Sequence, residues 1–134
     1  IRMKKVRGYI YSRQFMNERV PQSVQNQIIR EYCNTNKLHY LLSGTEYAME
    51  GSSYVIFEIL EELNKLHGIA MYSLFQLPDS KYKRNKIYKK ILSNKKKMYF
   101  CLENFCLKNK SDINYIENIW SIKKTIPHCI ESIC

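Results

Sequence analysis

Four compact groups of polar residues follow four short apolar runs, and they hold the residues of this chain best suited to chemistry. The runs are residues 6–11, 38–42, 68–72 and 98–102, and each is followed by a helical stretch. In chain order, the candidate site residues at the ends of these runs are Ser12, Arg13, Thr45, Glu46, Tyr72, Ser73, Gln76 and Glu103. If the runs are parallel strands, all of these side chains open on one edge of one sheet, where open α/β sheets bind ligands.

The catalytic candidates are Glu46, Arg13 and Ser12. Glu46 is the expected general acid or base. Burial in a crevice raises the pKa of a carboxyl group toward neutral pH, whereas a neighbouring arginine, Arg13, holds the group ionised. The alternative is that Glu46 only pairs with an arginine. Ser12 is a nucleophile only with a base nearby. The three histidines lie in a strand, at a helix end and in the C-terminal tail, so we expect no serine-histidine-aspartate triad.

An anion site is predicted beyond the first strand. Arg13, Arg19 and the N-terminus of the first helix, near Gln22, converge there, and guanidinium and main-chain N–H groups bind phosphate, sulfate or carboxylate. Arg84 is placed one turn into a later helix and is expected to reach the same anion. The alternative is two surface arginines beside a capped helix. No glycine-rich phosphate-binding motif is present.

The remaining candidates are expected to bind the rest of the ligand. Ser73 and Gln76 have groups that hydrogen-bond a polyol or a base edge, and Gln22 is expected to orient hydroxyls with them. Tyr72 offers an aromatic surface. Thr45 belongs to the same polar clusters, and Glu103 is a second carboxylate. No cysteine and histidine spacing is typical of zinc, and we expect neither a metal nor a cofactor.

The net charge of +10 is concentrated in one segment. Residues 81–97 contain nine of the 22 basic residues and no acidic residue, whereas the other 13 basic residues are offset by 12 acidic ones. Such a stripe binds phosphates, or it is the solvated face of a helix. Since the chain has no recognised nucleic-acid-binding motif, the sequence favours the solvated face and a nucleic acid partner is not expected.

The pattern of strands and helices predicts an α/β fold. Helical spacing predicts helices at about 21–34 and 53–66, a basic helix within 81–97, and a last helix that Ser111 caps and Pro127 stops. Alternation of strands and helices implies parallel pairing with right-handed crossovers. We therefore expect a three-layer α/β/α sandwich with a four-stranded, mostly parallel sheet in the order 2-1-3-4.

Residues 1–134 are expected to form one domain, with residues 1–5 outside the folded part and 105–134 forming a C-terminal helix and tail. The five cysteines include no C-x-x-C pair and favour free thiols. No apolar run approaches the roughly 20 residues that span a bilayer. Together these features predict a cytoplasmic protein.

Residues 6–104 resemble the catalytic domain of serine recombinases of the resolvase/invertase type. Residues 8–13, Gly-Tyr-Ile-Tyr-Ser-Arg, correspond to the family's Gly-Tyr-x-Arg-x-Ser strand end, and residues 68–77 correspond to its third strand and arginine-rich loop. Aligned on Gly8 and Tyr9, the chain has Tyr11 in place of the arginine and Arg13 in place of the serine nucleophile, and its loop has no arginine where the family has two. A shift of the alignment by one residue would restore Ser12 as the serine but would lose the Gly-Tyr match. The resemblance implies a resolvase-like or flavodoxin-like fold without strand transfer.

A second resemblance is to the sporadic carbohydrate cluster family, small proteins encoded among bacterial surface-polysaccharide genes. The matching stretches are residues 7–13, 18–26, 45–49 and 72–78. This resemblance implies an enzyme of surface-glycan synthesis that acts on a sugar phosphate or nucleotide-linked sugar. An isomerase, epimerase, lyase or hydrolase would be compatible.

Two other hypotheses remain open at this point. One is a non-catalytic module that binds such a precursor and forms a homo-oligomer through the last helix and the tail. The other is a nucleic-acid-binding protein with the recombinase fold. It predicts binding that depends on Lys86, Lys89 and Lys90 and that weakens steeply with salt.

Overall fold

The structure is a computed structural model that describes residues 4–15, 19–49 and 51–133, with side chains described up to residue 123. Its sheet has five strands in the order β2-β1-β3-β4-β5. In chain order the strands are β1 (Lys5–Tyr11), β2 (His39–Glu46), β3 (Gly68–Met71), β4 (Lys97–Phe100) and β5 (Phe105–Leu107). The first four are parallel and β5 is antiparallel to β4.

Three α-helices connect successive parallel strands, and a fourth comes after β5. They are α1 (Gln22–Thr35), α2 (Tyr54–Leu60), α3 (Lys81–Ser93) and α4 (Lys110–Ile133), with short 3₁₀ turns at Leu63–Lys65 and Leu74–Gln76. Helix α1 packs on one face of the sheet, and α2, α3 and α4 pack on the other. The predicted three-layer arrangement and the order 2-1-3-4 of the parallel strands are therefore confirmed.

Three expectations about the elements need correction. The sheet has five strands because the short β5 follows a tight turn, in which Asn104 adopts a left-handed φ of 52°. The predicted second helix divides into α2 and a 3₁₀ turn. Helix α4 continues through Pro127, since a proline removes one main-chain hydrogen bond from a helix without always ending it.

Both faces of the central strands are buried, which explains their nearly continuous apolar sequence. On β1, Tyr9 faces the cluster formed with α2, α3 and α4, whereas Val6 and Ile10 face the cluster formed with α1. The expectation that residues 1–5 lie outside the fold is wrong for Lys5, which begins β1, while residues 1–3 lie outside the described residues. No helix in the described part of the chain has the length and hydropathy needed to span a bilayer.

Candidate functional site

The carboxyl ends of β1, β2 and β3 open on a cavity of about 580 Å³. Three cationic side chains, Arg13, Arg19 and Lys123, line it together with the carboxylate of Asp79. Aromatic side chains, among them Phe15, also contribute to the wall. Two of the predicted anion-binding residues, Arg13 and Arg19, are thus brought together at the predicted edge of the sheet. Lys123 was not anticipated, because it comes from α4, far away in the sequence.

Arg13 connects the end of β1 to the loop before α2. Its guanidinium group donates hydrogen bonds to the main-chain oxygens of Tyr47 (3.1 Å) and Ser52 (2.9 Å). The same group lies 4.1 Å from the ring centroid of Tyr11, a cation–π distance. Arg13 therefore has a structural role in this loop and also places positive charge at the cavity.

Glu46 is buried under the same edge and anchors the start of α2. Its carboxylate accepts hydrogen bonds from the hydroxyls of Tyr9 (2.7 Å) and Ser52 (2.8 Å). The main-chain N–H groups of Tyr47, Val55 and Ile56 also donate to it. Burial raises the pKa of this carboxyl, but the hydrogen bonds outweigh burial and bring the pKa below its usual value. A carboxylate held ionised in this way stabilises a helix end and is poorly suited to proton transfer near neutral pH.

The two serines among the candidates are also engaged with the protein. The Ser12 hydroxyl donates to the main-chain oxygen of Glu46 at 2.8 Å. The Ser73 hydroxyl donates to the Glu103 carboxylate at 2.7 Å, and the Leu74 N–H donates to the other oxygen of that carboxylate at 3.0 Å. Ser73 and Glu103 therefore hold the β3 and β4 ends together, and neither residue lines the cavity.

Gln76 and Gln25 form a buried amide pair beside β1. The side-chain oxygen of Gln25 accepts from the Tyr11 N–H (2.9 Å), and its amide nitrogen donates to the main-chain oxygens of Tyr11 and Val20. Gln76 must therefore donate its own amide nitrogen to Gln25, at 2.7 Å. This leaves the side-chain oxygen of Gln76 buried without a hydrogen-bond partner among the described residues. The spacing of Gln25 from Ile29 and Cys33, with which it shares the buried face of α1, is the signal in the sequence that predicts its burial.

Arg84 is buried rather than turned toward the cavity. Its guanidinium makes two hydrogen bonds to the Glu117 carboxylate, each 2.9 Å, and two more to the main-chain oxygens of Pro78 and Asp79. It also lies 4.3 Å from the ring centroid of Trp120. All three guanidinium nitrogens thus bind the protein itself, and Arg84 joins α3 to α4.

The remaining candidates lie apart from the cavity wall. Gln22 and Thr45 are exposed, while Tyr72 is buried, with its ring centroid 6.0 Å from that of Phe15. None of these three candidates is among the lining residues. In the described residues, no group of three or more histidine, cysteine, aspartate or glutamate side chains is placed to hold a metal ion.

The outer side of α3 forms a second notable surface, the lysine face. It consists of Lys83, Lys86, Lys89 and Lys90, all exposed. Arg84, Ile87, Tyr88 and Ile91 form the buried side of the helix. Tyr82 is 69% exposed, and the Lys86 Nζ atom lies 4.6 Å from its ring centroid. Helix α3 contains no acidic residue, so its exposed side combines positive charge with one aromatic ring.

Two solved structures resemble this chain over nearly its whole length. One is the N-terminal catalytic domain of TP901-1 integrase, with a TM-score of 0.57 and 12% identity over 95% of this chain and 98% of that one. The other is a resolvase family site-specific recombinase from Streptococcus pneumoniae, with a TM-score of 0.60 and 11% identity over 96% and 98%. The sequence matches no family model and no curated protein. At this identity the similarity concerns the fold, which resembles that of resolvase catalytic domains.

These neighbours correct the leading functional expectation from the sequence. An enzyme acting on a sugar phosphate or nucleotide-linked sugar is wrong as the main hypothesis, because the similar structures are site-specific recombinase domains. The expectation that nucleic acid is not a partner is corrected by the same finding. The resemblance to the sporadic carbohydrate cluster family has no support from the comparisons.

Proposed function

We propose that this protein binds nucleic acid through the lysine face of α3 and does not transfer strands. The observation that carries the proposal is the concentration of exposed positive charge on α3, with no acidic residue on the helix to neutralise it. Lys83 and Lys90 are about 10 Å apart along the helix axis, at 1.5 Å per residue. A row of this length is suited to successive phosphates of one strand.

The binding energy would come mainly from counterion release. Each phosphate that a lysine neutralises frees condensed cations, so the logarithm of the affinity falls with the logarithm of salt concentration by about 0.9 per contact on duplex DNA. The similarity in fold to recombinase domains supports nucleic acid as the ligand class. Since the remaining basic and acidic residues nearly balance, the lysine face is the best candidate for this role.

The residues at the end of β1 argue against strand transfer. Arg13 stands where the resembling family has its serine nucleophile, and Tyr11 stands where it has an arginine. The neighbouring Ser12 donates its hydroxyl to the main chain at Glu46. No serine hydroxyl lines the cavity among the described residues. Binding without covalent chemistry is the function that this arrangement supports best.

The test is a salt titration of DNA binding, measured by fluorescence anisotropy with a duplex of about 20 bp between about 50 and 200 mM salt. The variant K86Q/K89Q/K90Q removes three charges from the lysine face. The control K65Q/K108Q/K110Q removes three exposed charges elsewhere. We expect the first variant to bind more weakly and to reduce the salt slope by about 2 to 3, and the control to change both much less. Equal losses in the two variants would contradict a role for the lysine face.

A further inference from the structure

An open groove of about 780 Å³ runs beside the start of α2. Tyr47, Met49, Tyr54 and Phe57 supply its apolar lining, and we call these four residues the aromatic groove. Tyr47 is 53% exposed, Tyr54 is 63% exposed and Met49 is 73% exposed. A cluster of large apolar side chains left in water is typical of a binding surface.

The two tyrosines present their rings close together at the surface. The ring centroids of Tyr47 and Tyr54 are 6.0 Å apart, and the ring planes are inclined by 52°. Each ring contacts the other at one side and leaves more than half of its residue accessible. Flat, exposed aromatic surfaces of this kind stack with any base of an unpaired strand, because every base has a π-face.

Cationic residues are found in the aromatic groove and in the cavity next to it. Lys83 lines the groove and also belongs to the lysine face, so the two surfaces are continuous. Gly51 lines both the groove and the cavity that contains Arg13 and Arg19. Arg13 itself binds the main-chain oxygens of Tyr47 and Ser52, which fixes the loop that carries the first ring. The groove thus adjoins two regions that carry positive charge.

Two carboxylates, Glu58 and Glu61, also line the groove. Negative charge at this position opposes the entry of phosphates, whereas it does not oppose the entry of a neutral base. The electrostatics therefore favour an orientation in which the phosphates lie toward Lys83 and the lysine face, and the bases turn toward α2. A positively charged track with aromatic rings beside it is the common arrangement of proteins that bind single strands.

We propose that the ligand is single-stranded nucleic acid, with unpaired bases stacked on Tyr47 and Tyr54 and the phosphates bound along the lysine face. This inference rests on the proposed function, since it assigns a ligand class to the same surface. In a duplex the faces of the bases are covered by their neighbours, so the groove contributes only to the binding of an unpaired strand. The protein should accordingly bind a single strand more tightly than a duplex of equal length.

The test compares three labelled ligands of about 12 nucleotides at one salt concentration: a single strand, its duplex, and an abasic strand that has the phosphates without the bases. The variants Y47L and Y54L remove one ring each, and Y54F keeps the ring and loses only the hydroxyl. We expect each leucine variant to weaken single-strand binding about 5- to 150-fold while duplex and abasic binding stay unchanged. Y54F should bind like the unaltered protein.

Three results separate the two proposals. If both leucine variants bind the single strand normally, or lose single-strand and duplex binding equally, the stacking proposal is overturned while binding by the lysine face stands. If the abasic strand binds as tightly as the ordinary strand, stacking is likewise overturned. If none of the three ligands binds, both proposals fall.

Discussion

At the scale of single residues, Glu46 is a buried carboxylate that stabilises the fold. The carboxylate is 1% exposed and satisfies N–H groups at the start of α2 together with the hydroxyls of Tyr9 and Ser52. We expect Glu46→Gln to lower the free energy of unfolding by about 2–3 kcal/mol, because an amide cannot accept this set of donors with full negative charge. Urea unfolding at neutral pH measures the loss, with the exposed Glu58→Gln as a control that should change little.

The pH dependence of the stability lost in Glu46→Gln shows whether the negative charge of Glu46 or only the shape of its side chain stabilises the fold. The pKa of Glu46 in the folded protein lies below its usual value of 4.5. Its contribution to stability is therefore fully present above the pKa of the unfolded chain and is lost as the pH falls through the lowered folded value. We expect the difference between the unaltered protein and Glu46→Gln to shrink as the pH is lowered below 4.5. A difference that stays constant over this range would show that the charge is not what stabilises the fold.

The sequence located these polar residues well but did not reveal their contacts. Glu46 and Arg13 both come at strand ends, and both lie at the predicted edge of the sheet. The position of the N-terminus of α2 decides which of the two side chains faces the cavity and which is buried. That position is set by tertiary packing and cannot be derived from the local sequence. For Gln25, by contrast, the helical spacing with Ile29 predicts burial. The hydrogen bonds of its side-chain amide are still not visible in the sequence pattern.

At the scale of elements, an ion pair between the buried Arg84 and the partly buried Glu117 joins α3 to α4. Arg84 is 2% exposed and binds Glu117 of α4 through two hydrogen bonds. We expect Arg84→Met to lower the free energy of unfolding by about 3 kcal/mol, because the variant leaves the Glu117 carboxylate without its cationic partner and with the Tyr88 hydroxyl still donating to it. Trp120, which is the only tryptophan and is 2% exposed, reports the separation of α4 through its fluorescence in a denaturant titration.

A double variant tests whether the pairing itself is responsible. Arg84→Met combined with Glu117→Leu removes both charges, so it should cost clearly less than the two single losses added together. The exposed Lys89→Met is a control for losing a cation from the same helix. Additive losses in the double variant would mean that Arg84 and Glu117 stabilise the molecule independently.

A close approach between β3 and β4 explains a glycine that begins a buried strand. A methyl group at Gly68 would lie 2.1 Å from the main-chain oxygen of Lys97, so the two strands would have to separate. We expect Gly68→Ala to lower the free energy of unfolding by about 1–3 kcal/mol. Gly44→Ala should cost less, because its methyl group meets the movable ends of the Ile59 and Val55 side chains. Thermal unfolding of the two variants compares them, and an equal or smaller loss for Gly68→Ala would refute the explanation.

The two elements that the sequence missed have different physical causes. Strand β5 has three residues, too few to show a period of two, and its pairing with β4 comes from the tight turn before it. The continuation of α4 through Pro127 is not visible in local propensity, which favours a stop at proline. The parallel strands, by contrast, were predictable because burial on both faces leaves an unbroken apolar run in each.

At the scale of the whole molecule, the distribution of charge decides between the ligand classes. The segment 81–97 holds nine basic residues without an acidic one, so a ligand that stabilises the folded state should carry many phosphates rather than one. We expect a single-stranded DNA at about 100 times its Kd to stabilise the protein by roughly 2.7 kcal/mol in a thermal unfolding experiment at low salt. The stabilisation should disappear as salt is raised, because released counterions no longer favour binding. Sugar phosphates and nucleotide sugars at matched concentrations should give no comparable shift. A shift with a nucleotide sugar that persists at high salt would refute nucleic acid as the ligand. It would indicate a ligand that binds in the cavity beside Arg13 and Arg19.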